Sequence, residues 1–156
     1  MTKISTGVLA VVLTLGAIAV LAPRPAPATS RESRLRLPSS TPPRVLRILD
    51  RSCADCHSDQ TRWPWYSSVP PVSWIVARHV REGRRFLNLS RFDGRTARDQ
   101  QDLLQAIARE VKATRMPLAS YTFIHRDARL TGTDAGDLVR WAEQERGRLA
   151  AIAVSD

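Results

Sequence analysis

The chain has 156 residues, with 24 Lys and Arg against 15 Asp and Glu, for a net charge of +9. That length fits one domain, and a basic surface suits nucleic acid, anionic lipid or an acidic protein, or is simply well solvated. No Ser-His-Asp grouping, Gly-rich phosphate loop or paired-carboxylate arrangement points to a hydrolase or a nucleotide enzyme.

From Gly7 to Ala22 the sequence is almost wholly apolar, after a short start carrying Lys3. This is the n-region and h-region pattern of an export signal. Ala26-Pro27-Ala28 offers small residues at signal-peptidase spacing, so residues 1–28 are expected to be a signal cleaved after Ala28. The run is shorter than the roughly 20 apolar residues of a full membrane span, and uncut it becomes a membrane anchor. Export argues against a nucleic-acid partner, and a periplasmic location is expected. Residues 23–43 hold six of the ten prolines, which favours an extended linker over residues 29–43. The folded domain is expected over 44–152.

Four helices are read in that domain. The first starts near Pro43, with Thr41 as cap and Val45, Leu46, Ile48 and Leu49 as its apolar face. The second follows Pro70-Pro71, carries Val72, Ile75, Val76 and Val80, and is expected to stop at Gly83. The third begins at Thr96 with Asp99 three residues on. Its face is Leu103, Leu104, Ile107, Ala108 and Val111, and Pro117 is expected to end it. The fourth begins near Thr131 to Thr133, with Leu138, Trp141, Ala142 and Leu149 inward. No stretch alternates at strand spacing, so the fold class is all-α.

Cys53-Ala54-Asp55-Cys56-His57 follows the first helix and holds both cysteines of the chain. C-x-x-C-H is the attachment sequence of c-type haem. Two residues between the thiols put both sulfurs at one edge of the ring, where they add to its two vinyl groups. The next residue, His57, then meets the iron as proximal ligand. A disulfide followed by an unrelated His is one rival. A thioredoxin-like motif is another, but it needs a βαβ context. A zinc site needs more ligands than two Cys and three His comfortably supply. The expected fold is a small cytochrome c-like helical domain of about four helices wrapped around one haem.

Met116 is the favoured second axial ligand. Pro117 disfavours helix at Met116 and so fixes an extended loop able to lay a thioether over the ring. His79 and His125 are the alternatives, and His125 also suits a haem propionate or the cap of the last helix. Met ligation raises the potential relative to two histidines. Trp63, Trp65 and Tyr66 are expected to wall the haem edge, with an indole N–H or the Tyr66 hydroxyl toward a propionate.

These segments resemble a known family. Cys53 to Ser58, Thr61-Arg62-Trp63-Pro64-Trp65-Tyr66-Ser67 and Pro70-Pro71-Val72-Ser73-Trp74 are similar to the bacterial haem-binding domain family of small c-type cytochrome-like proteins. The likeness continues through Val80, Gly83-Arg84, Leu87-Asn88, Ser90, Met116-Pro117, Tyr121, His125, Leu130 and Trp141, about residues 45–145. It implies one covalent haem c, with Cys53 and Cys56 as thioether sites and His57 as axial ligand. Leu89 and Phe92 depart from the pattern, which puts only local packing in question.

The expected function is a periplasmic mono-haem c-type cytochrome, a one-electron carrier rather than an enzyme. Its partner would be an acidic or membrane-bound redox protein, steered by Arg78, Arg81, Arg84, Arg85 or Arg115, and the protein itself would be a monomer. A five-coordinate haem sensor or peroxidase-like domain is the second reading. A haem-free, disulfide-bonded adaptor is the third.

Overall fold

A proline preceding another proline is pushed out of the helical region, and this decides where the first helix begins. Pro42 is extended (φ −59°, ψ 141°), so helix α1 (Pro43–Ser52) starts at Pro43 and takes Pro42, not Thr41, as its cap. Thr41 is buried with its hydroxyl unpartnered. Val45, Ile48 and Leu49 are buried along one side of α1.

The computed structural model describes residues 7–11, 13, 14 and 35–155. The expected cleavage point after Ala28 and residues 29–34 of the linker lie outside the described residues. Residues 7–11, 13 and 14 are helical. Among the described residues no helix is long and apolar enough to cross a membrane.

Past α1 come a single helical turn, α2 (Ala54–His57), and a 3-10 turn at Trp65–Ser68. Helix α3 (Val72–Phe86) does not stop at Gly83 but runs on to Phe86. Glycine there serves close packing on Cys56, not termination. A 3-10 turn at Leu89–Arg91 leads to α4 (Ala97–Lys112). The Thr96 hydroxyl accepts the Asp99 N–H at 3.1 Å, the expected cap.

Helix α4 ends at Lys112, well before Pro117. The Thr114 N–H donates to Val111 O and the Arg115 N–H to Glu110 O, each at 3.0 Å, with Thr114 at φ 52°. This is a Schellman ending, with threonine in the left-handed place usually held by glycine. Then follow a short helix, α5 (Ala119–Ile124), which no sequence pattern announced, and a 3-10 turn at Arg126–Ala128.

Helix α6 (Gly132–Ser155) closes the fold. Its start is a reciprocal capping box: the Asp134 N–H donates to the Thr131 hydroxyl and the Thr131 N–H to Asp134 Oδ2, both at 3.1 Å. Asp134 also pairs with Arg44 at 3.2 Å and Arg51 at 3.0 Å, tying α6 to α1. Every described element is thus helical, as the periodicity required.

The core gathers α1, α4 and α6. Leu104, Ile107, Ala108 and Val111 of α4 meet Leu138, Trp141, Ala142 and Leu149 of α6, with Val45, Ile48 and Leu49 of α1. Leu89 and Phe92, the two departures from the family pattern, are completely buried in this cluster. Each such side chain contributes on the order of 1.5–3 kcal/mol by burial.

Candidate functional site

Cys53, Cys56 and His57 share one turn. Cys53 closes α1 with its N–H on Leu49 O at 3.0 Å, and the N–H groups of Cys56 and His57 return to Cys53 O at 3.2 and 3.0 Å. The two thiols are free. Burial pushes the Cys53 thiol up to about 12, with Cys56 adding to the rise. Burial likewise pushes Cys56 up to about 11, helped by Asp55. Both are neutral thiols at neutral pH, the opposite of the lowered pKa that a thiol–disulfide exchange site uses.

Helix α3 orients the histidine. Nδ1 of His57 lies 3.0 Å from Gly83 O and 3.0 Å from Leu87 O. Carbonyls only accept, so Nδ1 carries the proton and the lone pair stays on Nε2. Burial lowers the pKa of His57 against the lifting effect of those carbonyls. A neutral imidazole with a bare, fixed Nε2 is a metal ligand in waiting.

The approach of α3 requires Gly83. A Cβ there would stand 2.6 Å from Cys56 O and 3.2 Å from Cys56 Cβ. The loop after His57 is bound to the same helix and its exit. Arg84 Nε donates to Ser58 O at 2.7 Å and Nη2 to the Thr61 hydroxyl at 2.8 Å. Asp59 accepts Asn88 Nδ2 at 2.7 Å and Arg91 Nε at 2.8 Å. Arg84 is therefore a structural residue here.

A second network crosses the motif. Asp55 Oδ1 accepts the Arg62 N–H at 3.3 Å and its Nε at 3.2 Å, while Oδ2 accepts the Tyr121 hydroxyl at 2.8 Å. Burial, then the bond to Asp55, raises the pKa of Tyr121, so its proton stays in place. Tyr121 stacks on His125 with ring centroids 4.4 Å apart, and His125 Nε2 meets the Tyr66 hydroxyl at 2.6 Å.

These contacts sort the expected residues. Tyr66 turns its hydroxyl to His125, and His125 stands at the end of α5 rather than at the cap of α6. Trp63 is half-buried and Trp65 is 82 % exposed. His79 is half-buried on α3, on the same stripe as Val72, Val76 and Gly83. Met116 is half-buried in a bend between α4 and α5. Sequence reasoning passed over Asp55 and gave Tyr121 no role. An acid between two cysteines was the available signal, but its partner lies 66 residues away.

The residues present fit a haem. Two free thiols on one turn and an oriented histidine are the donor set that covalent attachment needs. Trp65, Val69, Val72 and Ile75 are exposed along the 3-10 turn that packs on α3, the link after it and α3 itself, which packs on the C-x-x-C-H turn, and this apolar surface suits a wide apolar ring.

The family model for the haem-binding domain matches residues 11–144, from within the apolar run to the middle of α6. The chain belongs to the haem-binding domain family. No curated protein and no solved structure matches it. In this haem-binding domain the carbonyls of Gly83 and Leu87 fix His57, and Gly83 admits the close approach of α3.

Proposed function

We propose that this haem protein is an exported mono-haem c-type cytochrome, a one-electron carrier with haem c held by Cys53, Cys56 and His57. One observation carries the reading: the His57 Nδ1 proton is bound by the carbonyls of Gly83 in α3 and of Leu87 just past its end, beside two free thiols on the same turn. Each thiol would add across one vinyl group, sulfur bonding to one carbon and the thiol hydrogen passing to the other. The bound haem supplies an iron that gains and loses a single electron. The polypeptide supplies a fixed proximal imidazole, whose basicity the carbonyls raise.

Met116 is the favoured second ligand. Helix α3 stands behind the imidazole, on its Nδ1 side, which is the wrong side of the ring for His79. His125 is engaged by Tyr66 and Tyr121. The half-buried Met116 has a thioether free of such partners to offer, and thioether ligation favours a high potential.

The partner is an acidic or membrane-bound redox protein, met by a monomer in the periplasm. The basic residues differ in how free they are for this. Arg84 is committed to Ser58 and Thr61, and Arg115 to Glu110 at 2.7 Å. Arg78, Arg81 and Arg85 share the outer stripe of α3 with Trp74, opposite Gly83, where Arg78 pairs with Glu82 of its own helix at 2.9 Å and stays 68 % exposed. They are the residues expected to steer an acidic partner, and docking should slow as salt rises.

An absorption spectrum in both redox states, with a pyridine haemochrome assay after acid–acetone extraction, tests the attachment. Haem that stays with the chain and gives the two-thioether spectrum is expected. Extractable haem would refute covalent attachment. A weak near-infrared sulfur-to-iron band in the oxidised form, lost in Met116→Ala, is expected for Met116 ligation. Rapid carbon monoxide binding to the reduced protein would instead mark an open iron and a sensor or peroxidase.

A further inference from the structure

Helix α5 is held in an unusual way. None of its residues is buried, so apolar packing does not place it. Polar contacts do. At its centre the Tyr121 hydroxyl reaches Asp55 at 2.8 Å, and at its end His125 meets Tyr66 at 2.6 Å. Arg129 Nε adds a bond to Thr122 O at 3.1 Å. Of these, the Asp55 bond alone reaches into the C-x-x-C-H turn.

Asp55 is well placed to bear load. Its side chain is only 14 % exposed, and Oδ1 is fixed by Arg62. That leaves Oδ2 as a rigid acceptor aimed at α5. A hydrogen bond to a carboxylate is about twice as strong as a neutral one. Tyr121 follows Met116 by five residues, a stretch that reaches at most about 17 Å. Fixing Tyr121 therefore confines Met116.

We propose that Asp55 and Tyr121 are positioning residues, the pair that holds segment 116–124, and Met116 within it, against the haem-attachment turn. The inference rests on the reading of Met116 as axial ligand and deepens it. One turn would then position both residues that would hold the haem iron: His57 directly, and Met116 through the carboxylate lying between the two cysteines. A shift of the turn would carry both residues together.

The test uses the full haem-loaded protein and Tyr121→Phe, which removes one oxygen atom. Amide hydrogen exchange over 116–124 is expected to quicken roughly tenfold or more, the worth of one charge-assisted bond. The near-infrared sulfur-to-iron band is expected to weaken, while the pyridine haemochrome shows covalent haem unchanged. Asp55→Ala should give the same exchange change in this segment, and the double variant no more than either alone. Additive effects, or a Tyr121→Phe protein whose exchange and band match the parent, overturn the proposal. A parent with covalent haem and no band refutes Met116 ligation by itself. In that case the exchange rates alone decide whether the pair holds the segment.

Discussion

The two halves of the molecule are built on different principles. On one side α1, α4 and α6 close on Leu89 and Phe92 and bury their apolar residues against one another. On the other side α2 holds the C-x-x-C-H turn, with α3 and α5 tied to it, yet α3 buries only Val80 and α5 nothing. What joins those elements is polar: Arg84 to Ser58 and Thr61, Asn88 and Arg91 to Asp59, Tyr121 to Asp55. The first half needs only its own side chains. The second fixes backbone positions around a turn and keeps apolar surface outward, the arrangement that a large flat cofactor completes. Stability and ligand geometry are thereby assigned to separate sets of residues, and substitutions should separate them.

The largest effect is expected in the packed half. Phe92 is completely buried, and Phe92→Ala should cost about 3–5 kcal/mol. Chemical denaturation of the haem-loaded protein reads this directly. Its absorption bands should stay in place until the chain unfolds. Bands that shift in the folded variant would mean that the halves are not separable.

Gly83→Ala probes the other half. At a solvated helix position alanine would stabilise, by about 0.5–1 kcal/mol relative to glycine. Here its Cβ would press on the backbone oxygen of Cys56 at 2.6 Å. The expected sign is therefore reversed, with a cost of about 1–3 kcal/mol for overpacking. Haem loading should fall too, because the same contact sets the two carbonyls on His57. Full loading and unchanged stability would show that α3 yields without consequence.

The same division explains what the sequence disclosed. Val45, Ile48 and Leu49, the α4 face and the α6 face are legible because a packed core demands helical periodicity. That Cys53, Cys56 and His57 share one turn is legible because their spacing is that of a single helical turn. Helix α5 has no apolar stripe to read, since hydrogen bonds from distant residues hold it. Gly83 read as a stop because a glycine required for close approach looks the same in sequence as one required at a helix end. Thr114 gave no sign at all: nothing about a threonine announces a left-handed backbone.

Acid sharpens the comparison at the seam between α1 and α6. Burial pushes the Asp134 carboxyl up, but bonds from Thr131 and Arg51 outweigh it and hold the pKa below the ordinary 3.8. A lowered folded pKa gives stability that is present above the ordinary value and lost as pH falls through the folded one. Asp134→Ala should cost about 0.5–2 kcal/mol at neutral pH, the usual worth of a cap. The gap between variant and parent should close below the folded pKa. Denaturant midpoints at the two pH values measure it, and a gap that persists in acid would assign the effect to packing.

The smallest expected effect is a gain. Thr114 sits where the chain leaves the packed half for the Met116 segment, at φ 52°. A branched side chain in that region costs roughly 1–2 kcal/mol, part of which glycine would return as extra freedom in the unfolded chain. Thr114→Gly should therefore stabilise by about 0.5–1 kcal/mol, seen as a higher thermal midpoint. The Schellman bonds to Val111 and Glu110 are made by backbone and should survive, so the direction in which the chain departs toward Met116 should be kept. An unchanged near-infrared band alongside the higher midpoint would place the strain in the helix ending alone. A band that shifts would show that the threonine also helps to aim the ligand, and that the two halves meet in one residue.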